Sequence, residues 1–422
     1  MRAVALASAA LAAVLKPGAP AAASTHVALR AALKVSTQGC AGFEFFRIGS
    51  DAYLAAANFW DGASSDMSAD SIIYRVRHDA GGALALAEVQ RFRTRGAHGA
   101  DFFTNPATGA AYLVVPEYYA CGSARGPARN ASCASTMVLR WDAAARRFAQ
   151  SARLRTAGPA QTDHYVARDG TVFIVVGENF NDEVCFYRLV TAAGGAEKWD
   201  AGPCVPVPGA GGVALAEAGD TLLLVAASYH DGATGWATRS RVFAADARAP
   251  GAAARAPAFA EVDLLSTAGA HDAELGAAGG ATLLVLAEER DAGSARVTSA
   301  VLELDAAAAR FAPVQALPSD GAHAAEVFEG PDGAAYIMLA NFGDRHGGRT
   351  AARSELWRRG AGAGARFELA AGVDSHGATD AEHFELDGRR YVALSEEGDV
   401  GQRAHQVSTI YELVFEARGA DL

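Results

Sequence analysis

Six carboxylates hold one position in a recurring phrase of this sequence. Each stands seven residues after a small hydroxyl residue: Glu44 after Thr37, Asp101 after Thr94, Asp163 after Thr156, Glu274 after Thr267, Glu326 after Ser319 and Glu382 after Ser375. "TRGAHGADFF" at 94–103 and "SDGAHAAEVF" at 319–328 show the phrase most clearly. Acids brought to equivalent depth by a repeat repel one another, which raises their pKa values or recruits a cation. Calcium would suit such an oxygen-only donor set. The other expectation is structural, with each carboxylate accepting backbone N–H bonds from its neighbouring repeat, which explains why nearly every copy keeps one. The sequence favours the structural role, in a seam or a central channel, and assigns no cofactor; a channel calcium is the competing reading.

His98, His271 and His323 recur four residues after the same anchors, with Thr379 in the last copy. Three imidazoles suit zinc. They come from different repeats, however, so they are expected as seam residues bonding to turns, and no metal is assigned to them. The chain has no Cys-x-x-Cys pair, no His-Glu-x-x-His, no Gly-x-Ser-x-Gly and no phosphate loop. "GAGG" at 209–212 reads as a turn. Glu288-Glu289 and Glu396-Glu397 follow apolar runs where Asn stands in other copies. Propeller glycosidases use rim carboxylates, but recurrence from copy to copy points to architecture. No catalytic residue is assigned.

The elements that carry these residues repeat with them. The anchors are spaced 57, 62, 111, 52 and 56 residues apart, and a degraded copy at 206–232, with Ala214 in place of the acid, fills the double step. Each copy continues with an apolar run that ends in a polar residue, such as "YLAAAN", "FIVVGE" or "YIMLAN". A turn rich in Asp, Gly and Asn follows, then two alternating stretches such as "SIIYRV" and "LALAEVQRF". These are strand-length runs, the apolar one buried on both faces and the alternating ones half-exposed. Seven copies of four strands predict an all-β fold, a seven-bladed β-propeller of four-stranded antiparallel blades. The last copy ends after its third strand, "STIYELVF", while "THVALRAALKVST" precedes the first phrase as a fourth strand should. One blade is therefore expected to be assembled from both ends, which closes the ring. The propeller spans residues 26–422.

With those residues in place the sequence resembles the EAR repeat family, also called EPTP or epitempin repeats. The likeness rests on Gly-Ala-x-x-x-(Asp/Glu)-aromatic, then Tyr-Leu-x-x-Ala-Asn, then Ser-x-Ile-Tyr. It is clearest in "FEFFRIGSDAYLAAANFWDG" and "SIIYRV" of the first copy and "AYIMLANFGD" of the sixth. The resemblance implies an extracellular seven-bladed propeller that binds other proteins.

Other features agree with export. Arg2, an uncharged apolar run and Ala21-Ala22-Ala23 make residues 1–23 an expected signal peptide. Cys121 with Cys133 and Cys185 with Cys204 are the expected disulfides, with Cys40 left over and free to join copies of the chain. Asn130 opens a glycosylation pattern, Asn130-Ala131-Ser132. The net charge of −11 argues against nucleic acid, and no segment after the leader is long and apolar enough for membrane insertion. Three lengthened turns between second and third strands share one rim. They carry Phe59, Trp60, Tyr118, Tyr119, Phe342, Arg345 and Arg349, residue types that anchor protein interfaces. The expected function is a secreted module that binds an extracellular or cell-surface protein through that rim. The alternative is a glycan hydrolase or lyase on the same scaffold; acids spread evenly round the ring favour the scaffold, and a knot of Arg, Tyr and two acids favours catalysis.

Overall fold

The computed structural model describes residues 25–62, 64, 67–119, 136–192, 195–248, 256–362, 364–398 and 407–417. These residues form seven four-stranded antiparallel sheets, with no helix among them. In chain order the sheets are blade 1 (residues 40–95), blade 2 (101–154), blade 3 (159–206), blade 4 (210–268), blade 5 (270–320) and blade 6 (322–376). Blade 7 combines residues 378–417 with the strand Thr25–Ser36, which lies antiparallel to Val407–Ala417. Thr25 pairs with Ala417 and Ser36 with Val407, so the first strand of the chain completes the last blade. Thr37 Oγ1 then meets Ser408 Oγ at 3.2 Å and extends the join by a side-chain bond.

The apolar second strands are buried because each lies between two neighbouring blades. Val172–Glu178 and Ala335–Asn341 are buried along their whole lengths, whereas the outer strand Glu197–Pro206 is half exposed. The core lies mainly in the seams. Phe46 of blade 1 stacks on Phe102 of blade 2 at 4.4 Å, and Phe45 stacks on Phe384 of blade 7 at 4.7 Å. Such aromatic pairs add packing energy to the apolar area they bury.

The repeated phrase is the turn from one blade to the next. Its glycine takes a left-handed φ in every copy, between +56° at Gly39 and +64° at Gly321, a backbone state costly for any residue with a Cβ. The anchor hydroxyl reaches a hydroxyl on the third strand, as Ser354–Ser375 at 2.8 Å and Thr136–Thr156 at 2.9 Å show. The polar residue ending the second strand then accepts the N–H that follows the anchor. Asn58 accepts Gln38 N at 3.1 Å, Glu178 accepts Ala157 N at 2.9 Å, and Asn341 accepts Asp320 N at 3.2 Å. Blade 4 departs from this pattern for a covalent reason. Pro208 stands at the donor position and has no N–H, and the partner residue is Ser228, whose hydroxyl donates to the Pro208 carbonyl instead. Blade 4 also lies close to blade 5, because a Cβ on Gly212 would sit 2.6 Å from Ala273 N.

Cys185 and Cys204 oppose each other across the third and outer strands of blade 3 and form a disulfide. Cys40 is fully buried, in the place that Ala97, Ala270, Ala322 and Ala378 take in other blades, so it is not available to cross-link copies of the chain. Cys121, Cys133, Asn130 and residues 1–23 lie outside the described residues.

Candidate functional site

The inner strands surround a central cavity of about 310 Å³. Its deep layer holds the recurrent carboxylates, and most of them bond to the next blade round the ring. Glu44 accepts Phe102 N at 3.1 Å, Asp163 accepts Leu215 N at 2.8 Å, Glu326 accepts His383 N at 3.3 Å and Glu382 accepts Phe45 N at 3.0 Å. Glu274 bonds the backbone of Val327 in the same way, and Asp101 takes the side chain of His164 at 2.8 Å. Ala214 leaves blade 4 without an acid in this layer. Two further acids escape the seven-residue spacing: Asp272 accepts Ala325 N at 3.1 Å and Asp380 accepts Phe43 N at 3.0 Å. Both stand five residues after an anchor, where glycine and alanine in four other copies hide the pattern.

Seven of the eight carboxyls that line this cavity are held above their ordinary pKa. Burial, and then the neighbouring Asp380, push Glu382 up to about 8; burial pushes Asp380 up to about 7 and Asp272 to about 6. Glu44, Glu274 and Glu326 are raised well above the usual carboxylate range by burial and by the acids around them. Burial pulls His164 down, but Asp101 more than reverses this and the imidazole titrates at about 9. Oxygen donors in this number would also accommodate a hard cation.

Nearer the loop rim comes a layer with three histidines. The sequence places His98, His271 and His323 on separate blades, and the fold brings them together: one ring nitrogen from each lies within 4.8 Å of the others. Their ring centroids are 3.5 Å apart for His271–His323 and 5.5 Å for His98–His271. Each also serves the seam. His323 Nδ1 donates to the Thr379 carbonyl at 2.7 Å, while His271 bonds the backbone of His323 and His98 that of Ala160. Burial and then the Arg345 guanidinium lower His98 to about 4, so these imidazoles are neutral at physiological pH.

The mouth of the channel is closed from the rim. Residues just past the second strands pack against the histidines: Phe59 lies 5.8 Å and Tyr118 5.6 Å from the His98 ring, Tyr229 5.0 Å from His271 and Phe342 5.9 Å from His323. Arg345 enters from the loop of blade 6, with its guanidinium 4.1 Å from the Phe342 ring and Nε 3.6 Å from Glu289. Tyr229 donates to Glu289 at 3.0 Å and Tyr118 to Asn179 at 2.8 Å. Burial disfavours the charge of Arg345, but Glu289 and Glu397 more than compensate and hold it protonated.

The loop residues singled out in the sequence therefore differ in accessibility. Phe342 is 1% exposed and packs inward, and Arg345 plugs the mouth. Arg349 is held by Asp320 at 2.7 Å. Tyr119 packs against Phe59 at 5.6 Å and stays half-buried, as Trp60 does, with its Nε1 donating to the Ser64 carbonyl at 2.7 Å. Trp236 was missed. It lies on the same rim, 4.8 Å from His230 and 5.1 Å from His346, with the Arg290 guanidinium 5.2 Å from its ring. Its signal is the aromatic-bearing turn "SYHDGATGWA" in the degraded copy.

Residues 34–75 match the family model described as the EPTP domain. No curated protein matches the chain. Similar solved structures include a candidate 6-phosphogluconolactonase from Bacteroides fragilis, at 11% identity and TM-score 0.48, covering 79% of this chain and 86% of that one. Another is its counterpart from Bacteroides uniformis, at 10% identity and TM-score 0.48, covering 75% and 80%. A third is the polysaccharide lyase Uly1, at 10% identity and TM-score 0.48, covering 88% and 89%.

Proposed function

We propose that this seven-bladed propeller with an EPTP match in its first blade is an extracellular binding module that holds a cell-surface protein against its loop rim. The observation that carries the reading is the aromatic arc on that rim. Phe59, Tyr119, Tyr118 and Phe180 occupy one side, Tyr229, Trp236, His230 and His346 the other, above a mouth plugged by Arg345. Aromatic side chains with flanking arginines are the usual energetic centres of protein interfaces. The deep carboxylates are occupied in bonds between blades, which supports a scaffold. The EPTP match spans the Phe59-Trp60 turn, and the Cys185–Cys204 bridge favours an oxidising compartment. The test is binding of labelled protein to cells before and after surface proteolysis. Binding should disappear with protease, survive removal of cell-surface glycans, and fall at least about tenfold in a Trp60→Ala/Trp236→Ala double variant that keeps its melting temperature, a loss of ~1.4 kcal/mol or more. Binding abolished by glycan removal, or equal in both proteins, would remove this reading.

One arrangement favours the second reading, a glycan-acting enzyme. Arg345 stands between two acids, Glu289 and Glu397, beside the Tyr229 hydroxyl. An arginine there could neutralise a uronate carboxylate while the Glu289 carboxylate, which already accepts from Tyr229, removes a proton. Incubation with acidic polysaccharides decides it. Release of unsaturated or reducing ends that Arg345→Ala abolishes would establish an enzyme, and no release from any of them would leave the binding module.

A further inference from the structure

We propose that His98, His271 and His323 form a binding site for one divalent transition-metal ion of the zinc and copper class, set in the channel between the acid layer and the Arg345 plug. The residues are not neighbours in sequence. Three blades each contribute one at the same repeat position, and the propeller closes them until one ring nitrogen of each lies within 4.8 Å of the rest. A second observation points to a ligand. Each ring retains a buried nitrogen with no hydrogen-bond partner: His98 Nδ1, His271 Nδ1 and His323 Nε2. Buried polar atoms in native proteins are nearly always satisfied, so three orphans in one cluster call for an occupant.

The seam bonds prepare these rings as ligands. His323 Nδ1–H donates to the Thr379 carbonyl, which fixes the tautomer and leaves Nε2 with a bare lone pair. A backbone carbonyl behind a histidine orients it toward a metal in this way. His271 and His98 are held through the backbones of His323 and Ala160. Deep burial keeps all three neutral, as a ligand must be. Imidazole suits zinc, copper and nickel better than calcium or magnesium, so this site and the acid layer would select different ions. Tetrahedral bonds of about 2.0–2.1 Å place nitrogens about 3.4 Å apart, so the cluster closes by ring rotations on the order of an ångström. The nearby Arg345 charge opposes any cation, and it is offset by Glu289, 3.6 Å from its Nε, and by Glu397.

The experiment uses the whole chain, stripped with chelator and then held in excess calcium to occupy oxygen sites. Cobalt(II) is titrated while visible absorption is read, and copper(II) is added separately for electron paramagnetic resonance. One equivalent per chain should bind, with nitrogen hyperfine coupling from imidazoles in the copper spectrum. His271→Ala and His323→Ala should weaken cobalt binding by at least about tenfold, and Glu326→Gln, in the acid layer, should leave it unchanged. Absence of stoichiometric uptake by the wild-type chain, or of nitrogen coupling, overturns the proposal whether or not the variants fold. So does equal uptake by folded His271→Ala, and water alone would then join the imidazoles to Arg345.

Discussion

Asp380 and Glu382 lie on one inner strand and reach backbone donors in blade 1, at Phe43 and Phe45. Their raised pKa values make the ring sensitive to pH in a definite direction. Unfolded, these acids lose their protons near pH 4; folded, they hold them until about 7 and 8. Between pH 6.5 and 8.5 the native state therefore carries protons that the unfolded chain has released, and stability falls as pH rises. His164, raised to about 9, acts in the same sense because its charge is favoured only in the folded chain. His98, lowered to about 4, acts in the opposite sense at the acid end of this window, because the unfolded imidazole still holds part of its proton near its ordinary value of 6.5. Melting in chelator should show Tm falling from pH 7.5 to 8.5, above the range in which the unfolded imidazoles titrate. If the acid layer takes calcium, the ion should reverse that fall at pH 8.5; no calcium-dependent shift would leave the acids as fasteners alone. A second test concerns Asn341, which accepts Asp320 N and donates to the Arg353 carbonyl at 2.7 Å. Asn341→Ala should cost about 1–3 kcal/mol in denaturant unfolding, because buried backbone groups are left unpaired. Six of the acids and the three histidines could be read from spacing because they recur at fixed distances from an anchor residue. Arg345 could not be given its place, since nothing in a single loop tells which side chain turns back to the axis.

At the scale of elements, strand existence and order followed from apolar runs and turn residues, and the inter-blade glycines followed from the phrase itself. Side-chain direction in the long turns did not. Phe342 reads as an exposed aromatic, but Gly343 at φ +95° turns the chain and the ring is buried beside His323. The degraded copy reads as decay in sequence; in the fold, Pro208 and Ser228 exchange donor and acceptor and keep the turn closed. Glycine substitutions separate the tight turns from the loose ones. Gly321 has φ +64° and its Cβ would lie 2.0 Å from the Gly343 carbonyl oxygen, whereas Gly388 has φ +80° with nothing within 4 Å. Both alanine variants carry the left-handed backbone cost of about 1–2 kcal/mol, and Gly321→Ala should lose clearly more. Equal losses in chemical unfolding would show that the Gly343 contact gives way easily.

At the scale of the molecule, ring closure rests on the pairing of Thr25–Ser36 with Val407–Ala417. A chain lacking residues 1–36 should expose that edge and lose its cooperative melt, and a peptide of residues 25–36 added in trans should restore part of it. Closure was legible because a three-stranded remnant at one end matched a lone strand at the other. The convergence of three blades on one channel cluster was not, because sequence spacing fixes depth but gives no distance across a ring. In the proposed function the propeller divides into a channel that fastens the blades and a rim that meets a partner. Melting temperature and cell-surface binding, measured side by side for Glu326→Ala and Trp236→Ala, test that division most directly. Glu326→Ala, which removes the acceptor of His383 N, should lower Tm and keep binding, while Trp236→Ala should keep Tm and lose binding; the reverse pattern would contradict it.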